Sequence, residues 1–280
     1  MSVRYLEKFT SISGAVSYTF PLNAYEWESV ESLRTSFLES VGMDFAYDAI
    51  RNAPAPRNVA DETVRFMVIG ANAAAVDTIV DEMRGKLLNI GRGKLFTLDS
   101  SNVRRWCYAR LAAMPDIRVS VPAMVHVPAE VQFQRFSPWF AESIAAGYND
   151  IDVATTPKAI SVTNAGNVPV KLMIIRFRSD SSAGIPAGGW TLLNSTNGYY
   201  FGSSRASVSA NSEVKVDTED LSVKYSNDDG VTYTDDFALF LIGLNQGSFF
   251  QLEPGVNALV FTSAPGPDLH ISIAFYPPWA

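Results

Sequence analysis

The chain has 280 residues, 47% of them hydrophobic and 18% charged, with a formal charge of −7. That is enough apolar material for real cores and too little charge for a disordered chain, and a single core rarely grows past roughly 250–300 residues, so two domains are expected. Net negative charge works against binding phosphate backbones across the whole surface, although a local basic patch is compatible with it.

The N-terminal Met1-Ser-Val-Arg-Tyr-Leu-Glu-Lys-Phe9 carries no long apolar run, which argues against a signal peptide. Nothing in the chain reaches the about 18 apolar residues of a membrane span. A soluble product made in the cytoplasm is expected. Trp27 to Val41 mixes apolar and acidic residues ahead of Gly42 and reads as a weak helix. Asn52-Ala-Pro-Ala-Pro-Arg-Asn58 is a loop, since its prolines remove amide donors and bias their neighbours to extended states. Val64–Ile69 alternates as a strand should.

The one strong helix spans Ala73 to Ile90. Val76, Ile79, Val80, Met83, Leu87 and Leu88 fall near helical spacing, Asn72 can cap the first turn, and Gly91 can end the last. Strands follow after Lys94, at Ile117–Val121 and at Met124–Phe133. Ala145-Ala-Gly-Tyr-Asn-Asp150 reads as a connection, which divides the chain into 1–145 and 146–280. Beyond it helical periodicity disappears. Short strands are predicted at Ala159–Thr163, Val168–Arg178, Trp190–Asn194, Glu213–Val216, Leu221–Ser226, Val231–Thr234, Phe237–Ile242, Phe249–Leu252, Ala258–Thr262 and His270–Phe275. Asp228-Asp-Gly230 suits a tight hairpin turn. Many short strands without helices indicate a β-sandwich or related barrel.

Chemistry is sparse. Gly91-Arg-Gly-Lys94 follows a helix instead of opening one, so it lacks the amide cradle of a phosphate loop. Cys107 stands alone between bulky residues, and His126 and His270 lie in separate strands, whereas a zinc site needs several ligands in reach. Asp217, Glu219, Asp220, Asp228, Asp229, Asp235 and Asp236 gather in the second half. They match no calcium loop and read as acidic hairpin ends on the surface. Asn194-Ser-Thr196 matches a glycosylation sequon without meaning in a cytoplasmic product. Among the many rings of the second half, Trp190, Tyr199 and Tyr200 are the candidates for contact with a sugar or a partner protein, because an exposed ring face can stack on either. No catalytic, cofactor or metal residues emerge.

The order of segments resembles one known family. The resemblance rests on Val64–Gly70, the Ala73–Ile90 helix, Gly93-Lys-Leu-Phe96, Arg105-Trp-Cys-Tyr-Ala-Arg-Leu111, the Ile117–Val121 strand and Val131-Gln-Phe-Gln-Arg-Phe-Ser137. It continues through Ile160-Ser-Val-Thr-Asn-Ala-Gly-Asn-Val-Pro-Val170, Trp190-Thr-Leu-Leu-Asn194, Glu213-Val-Lys-Val-Asp217 and Phe250-Gln-Leu-Glu-Pro-Gly-Val-Asn257. In this pattern the chain resembles the distal tail protein (Dit) family of siphovirus-like bacteriophages, from about residue 40 to the end. The resemblance implies a mainly β protein with one packed helix. Its N-terminal part would be a tail-tube-like β-sandwich or split barrel, and its C-terminal part a galectin-like β-sandwich. It further implies a structural homo-hexameric ring at the virion tail tip, between a tail tube protein and a tail hub protein. Receptor-binding or side-fibre proteins would attach outside, and DNA would pass through without specific binding. No cofactor, membrane or catalysis is implied. The competing readings are a carbohydrate-binding adhesion module, which leaves the first half unused, a tail-attached glycosidase, and another ring-forming tail tube component, against which the long second half argues.

Overall fold

The computed structural model describes residues 4–21, 26–30, 37–38, 47–48, 60–113, 125–145, 148–184, 189–205, 208–243, 249–265 and 267–279. The loop read at 52–58 and the strand read at 117–121 lie outside these residues. The protein is mainly β with one α-helix among the described residues, and it divides into two compact units, Met1–Trp139 and Phe140–Ala280.

The first unit contains β1 (Arg4–Ser11), β2 (Ser17–Thr19), β3 (Glu26–Val30), β4 (Phe37–Leu38), β5 (Tyr47–Asp48), β6 (Ala60–Ile69), α1 (Ala73–Ile90), β7 (Arg92–Asp99), β8 (Arg104–Ala113) and β9 (His126–Arg135). β4 and β5 pair with each other. The other strands form an antiparallel sheet in the order β2-β1-β7-β8-β9-β6-β3. This sheet rolls up. Phe9 on β1 lies 4.8 Å from Phe133 on β9, ring centre to ring centre, although β7 and β8 separate their strands. Phe20 meets Phe66 and Phe133, each at 5.9 Å. The result is a split barrel with an aromatic core, against which α1 packs.

α1 has the limits that its sequence predicts. The Asn72 side chain accepts a hydrogen bond from the Ala75 amide at 2.9 Å, and Gly91 ends the helix at φ 62°, a left-handed value that favours glycine. Val76, Val80, Met83, Leu87 and Ile90 are buried, a seam of i, i+4, i+7 spacing. Leu88, expected on that seam, is exposed, and Ile90 occupies the buried end instead. The helix expected from Trp27 is absent at its start. Trp27 to Val30 belong to β3, where Trp27 pairs with Val64 of β6, so sheet pairing overrides the weak local preference.

The second unit begins within β10 (Trp139–Ala141). It continues through β11 (Ile151–Val153), β12 (Lys158–Asn164), β13 (Met173–Gly184), β14 (Trp190–Asn194), β15 (Tyr199–Ser203), β16 (Glu213–Asp217), β17 (Ser222–Ser226), β18 (Thr234–Asp235), a 3-10 turn at Phe237–Leu239, β19 (Phe240–Ile242), β20 (Gly255–Ser263), β21 (Asp268–Phe275) and β22 (Pro278–Trp279). Two antiparallel sheets, β11-β21-β13-β16-β17-β18 and β12-β20-β14-β15-β19, enclose one core. Ile175, Phe177, Ile271 and Ile273 from one sheet meet Leu192, Phe201, Leu259 and Phe261 from the other. This is a β-sandwich.

Several local expectations change. β13 begins at Met173, and Val170 makes an isolated bridge with Leu252 where longer strands were expected. Asp228-Asp-Gly230 sits in a loop longer than a two-residue turn, since Tyr225 pairs with Thr234. The stretch read as a free connection is tied down where it is described. The Ala141 amide donates to Pro277 O and the Ala145 amide to Phe275 O, each at 2.9 Å, and Tyr148 O accepts from the Ile273 amide at 2.6 Å.

Candidate functional site

The rings singled out by sequence do not form one surface. Trp190 is 3% exposed and packs at 4.2 Å from Phe177, with Phe201 and Phe261 at 6.0 and 6.1 Å. It is a core residue and presents no face to a sugar. Tyr199 and Tyr200 are successive residues of β15 and point to opposite sides, as strand neighbours must. Tyr199 is half-buried against the core, which leaves Tyr200, at 37% exposure, as the accessible ring of the three.

The acidic residues are mostly occupied. Asp217, buried, caps its turn by accepting from the Glu219 and Asp220 amides at 3.1 and 3.3 Å. Asp236, also buried, holds Arg205 through hydrogen bonds of 3.0 and 2.6 Å. Asp228 organises its loop through Ser226 and Thr232. Bonds from the Ser226 hydroxyl first, then from Thr232, hold its carboxyl down to about 2, opposite to what a general acid requires. These acids build loops, and the sequence reading of them as plain surface charge holds for some and fails for Asp217 and Asp236. Asn194 of the sequon is fully buried, with its amide nitrogen donating to Asn257 Oδ1 and Gln251 O, each at 3.0 Å. Cys107 is buried in the first unit, and loss of solvent pushes its thiol well up, which makes it unreactive. No group of metal-ligating side chains occurs among the described residues.

On the outer face of the first unit's sheet, cations cover rings. Lys8 sits 4.9 Å above Phe96, Lys94 4.5 Å above Trp106, and Arg92 4.8 and 5.0 Å from Tyr108 and Phe136. Such pairs shield the ring faces that bases would otherwise stack on.

A polar cleft of about 430 Å³ opens on the six-stranded sheet of the second unit. Strand alternation places Arg176 and Arg178 on one face of β13, while Ile175 and Phe177 enter the core. Register then brings Ser272 and His270 of β21 beside them on one side, and Lys215 and Glu213 of β16 on the other. Arg178 pairs with Asp229 at 2.8 Å, His270 Nδ1 lies 2.6 Å from Asp150, and Arg176 lies 3.7 Å from Glu213. Glu213 is 6% exposed and accepts the Tyr233 hydroxyl at 2.5 Å. That contact and burial together push the Tyr233 phenol up to about 12, with burial the larger cause. Sequence reading missed this cleft. The alternation in Arg176-Phe-Arg178 and His270-Ile-Ser272 shows a polar face, but not which strands are neighbours.

No protein-family model matches the sequence, and no curated protein sequence matches it. Solved structures do match. The crystal structure of the SPP1 Dit (gp 19.1) protein, described as a paradigm of the hub adsorption apparatus in phages that infect Gram-positive hosts, aligns over 98% of this chain and 99% of its own, with a TM-score of 0.59 and 14% identity. The chain has the Dit fold. Chains of the phage p2 baseplate in its activated conformation also align over nearly the full length. With strontium the TM-score is 0.47 at 11% identity, and with calcium 0.47 at 9%. The Dit match covers both units, the split barrel and the sandwich.

Proposed function

We propose that the protein is a structural component of a phage tail tip, a distal tail protein that acts by assembly and not by catalysis. One observation carries this reading: a single solved Dit structure aligns over 98% of the chain, so one fold spans both units. The finer reading is a hexameric ring of the first unit, joined to the tail tube protein on one side and the tail hub protein on the other. The second unit would stand outside the ring and give receptor-binding or side-fibre proteins a place to attach.

Physical features favour this arrangement. A cyclic ring needs heterologous contacts, one patch meeting a different patch on the next copy. Among the described residues the first unit's sheet ends in β2 and β3, and edge strands suit such pairing. Charge is distributed to suit. Residues 1–139 contain as many acidic as basic residues, and the whole net charge of −7 resides in 140–280. A ring of the first unit would therefore carry no net charge overall.

The test is microscopy of assembled tails together with light scattering of the purified chain. A ring with six-fold symmetry at the junction of tube and tip is expected. A different symmetry at that junction, or location of the chain elsewhere in the virion, would overturn the assignment.

A further inference from the structure

We infer that the outer face of β1, β7 and β8 in the first unit is a contact surface for a second copy of this chain, whose α1 brings Asp77 and Asp81 against Arg92 and Lys94. The inference deepens the proposed ring and rests on it only for the number of copies, since the contact itself is argued from charge. It concerns the first unit alone.

The first argument is uncompensated charge on the sheet. Strand alternation turns Arg92, Lys94 and Phe96 of β7 outward, while Gly93 and Leu95 are buried. Register sets Arg92 directly opposite Arg110 on β8, and Lys8 of β1 opposite Phe96. Arg104 is held by Glu7 through bonds of 2.5 and 2.7 Å, and Arg110 donates to the neutral amide oxygen of Gln134. Among the described residues no carboxylate forms an ion pair with Lys8, Arg92, Lys94 or Arg110. Like charges directly opposite on paired strands destabilise the fold that carries them. An anionic partner removes that cost.

The second argument is a complementary patch on α1. Asp77 and Asp81 are exposed, stand about one turn apart, and have no hydrogen bond or ion pair among the described residues. Their neighbour Glu82 is paired with Lys86 at 2.6 Å. Carboxylates at i and i+4 repel each other, so this patch also costs stability until cations meet it. The spacings agree. Side chains one helical turn apart are separated by about 6 Å, and outward neighbours along a strand by about 7 Å, so two carboxylates can meet Arg92 and Lys94 together. The buried seam of α1 and the buried side of β7 share one core, where a side chain at position 93 would strike Ile90. The two charged patches turn outward from that core in different directions. They meet between copies, in the head-to-tail contact that a cyclic ring requires.

The third argument is preorganisation. Lys8, Lys94 and Arg92 lie over the rings of Phe96, Trp106 and Tyr108 at 4.9, 4.5 and 4.8 Å, which holds their stems flat and their charged ends in place. Charges fixed in advance lose little freedom on docking. The same covering argues against nucleic acid as the occupant, because Trp106 is 6% exposed and offers no open ring face to a base.

The experiment is analytical ultracentrifugation of the full chain over a range of protein and salt concentrations. Self-association is expected, and it should weaken as salt is added, because exposed charge pairs are screened. Arg92→Glu with Lys94→Glu, and separately Asp77→Lys with Asp81→Lys, should each weaken it about tenfold or more. Each double variant then carries two patches of the same sign and cannot pair with itself. An equimolar mixture of the two should recover association, since each variant's sheet fits the other's helix, and so should one chain with all four changes. Four outcomes would overturn the proposal: a wild-type chain that stays monomeric up to about millimolar concentration, association that salt does not weaken, loss in the sheet variant with none in the helix variant, or a mixture that does not recover. Circular dichroism of each variant separates loss of the contact from loss of the fold. The helix variant changes exposed positions only, so its effect decides the matter if the sheet variant does not fold. Recovery in rings that are not six-fold would leave the contact standing and overturn the hexamer, whereas six-fold rings indifferent to all four changes would do the reverse.

Discussion

Removing the carboxylate of Glu62 should unfold the first unit more readily than any single loss on its surface. Glu62 lies on the inner side of β6 and is 0% exposed, and its partner Arg135 on β9 is 6% exposed, with 2.7 Å between Oε1 and Nε. The other carboxylate oxygen accepts the Trp27 indole N–H at 2.8 Å. Arg135 also donates to Ser137 O at 3.0 Å and lies 5.5 Å from the Trp139 ring, which meets Trp27 edge-on at 5.9 Å. Glu62→Ala would leave a guanidinium buried without its counter-charge, at a cost of about 3–5 kcal/mol, and an indole N–H without its acceptor, at about 1–3 kcal/mol. The two penalties share one site and do not simply add. A loss of about 4 kcal/mol is expected, against a total of about 5–15 kcal/mol for a domain. The pair itself need contribute little, because desolvation of both charges offsets their attraction. The double variant Glu62→Met with Arg135→Met should therefore be far more stable than the sum of the single losses implies. The assay is urea unfolding followed by tryptophan fluorescence, since Trp27 and Trp139 border the pair and report on this unit. A Glu62→Ala loss below about 1 kcal/mol, or a double variant that loses the full sum of the singles, would refute the reasoning.

Val80→Asp should prevent the first unit from folding, because Val80 is on the buried seam of α1 and an unpaired buried charge costs several kcal/mol; soluble, assembly-competent variant protein would contradict this. Cys107 should resist a thiol reagent at neutral pH until the protein is denatured, since burial pushes its thiol well up, and rapid labelling of native protein would show the burial to be wrong. Asp228 should titrate with a midpoint of about 2 by NMR. Its folded value lies below its ordinary one of 3.8, so the stability that its loop contacts contribute is complete above about pH 4 and is lost as pH falls through about 2. Thr232→Val removes one donor and should raise that midpoint, and an unchanged one would mean that the hydroxyl bond is not formed.

What the sequence by itself determined is what depends on near neighbours along the chain. The limits of α1 follow from Asn72, Gly91 and the spacing of Val76, Val80, Met83 and Leu87, all within a few turns of one another. The division into a mixed half and an all-β half follows from where helical periodicity stops. Strand interiors such as Trp190–Asn194 follow from alternation. Where the local signal is weak, the tertiary structure decided: Trp27 joined a strand because β6 offered a register and a buried carboxylate for its indole. Trp190 shows the same limit in reverse. A ring at the start of a strand can face either side, and only the packing of Phe177, Phe201 and Phe261 around it put it inside. The polar cleft could not be read from the chain at all. Its residues run from Asn149 to Ser272, and they meet because β21, β13 and β16 are neighbours in the sheet, an order set by non-local pairing and by a core drawn from both layers of the sandwich. Alternation fixes which face a side chain takes, and strand order fixes what it meets there.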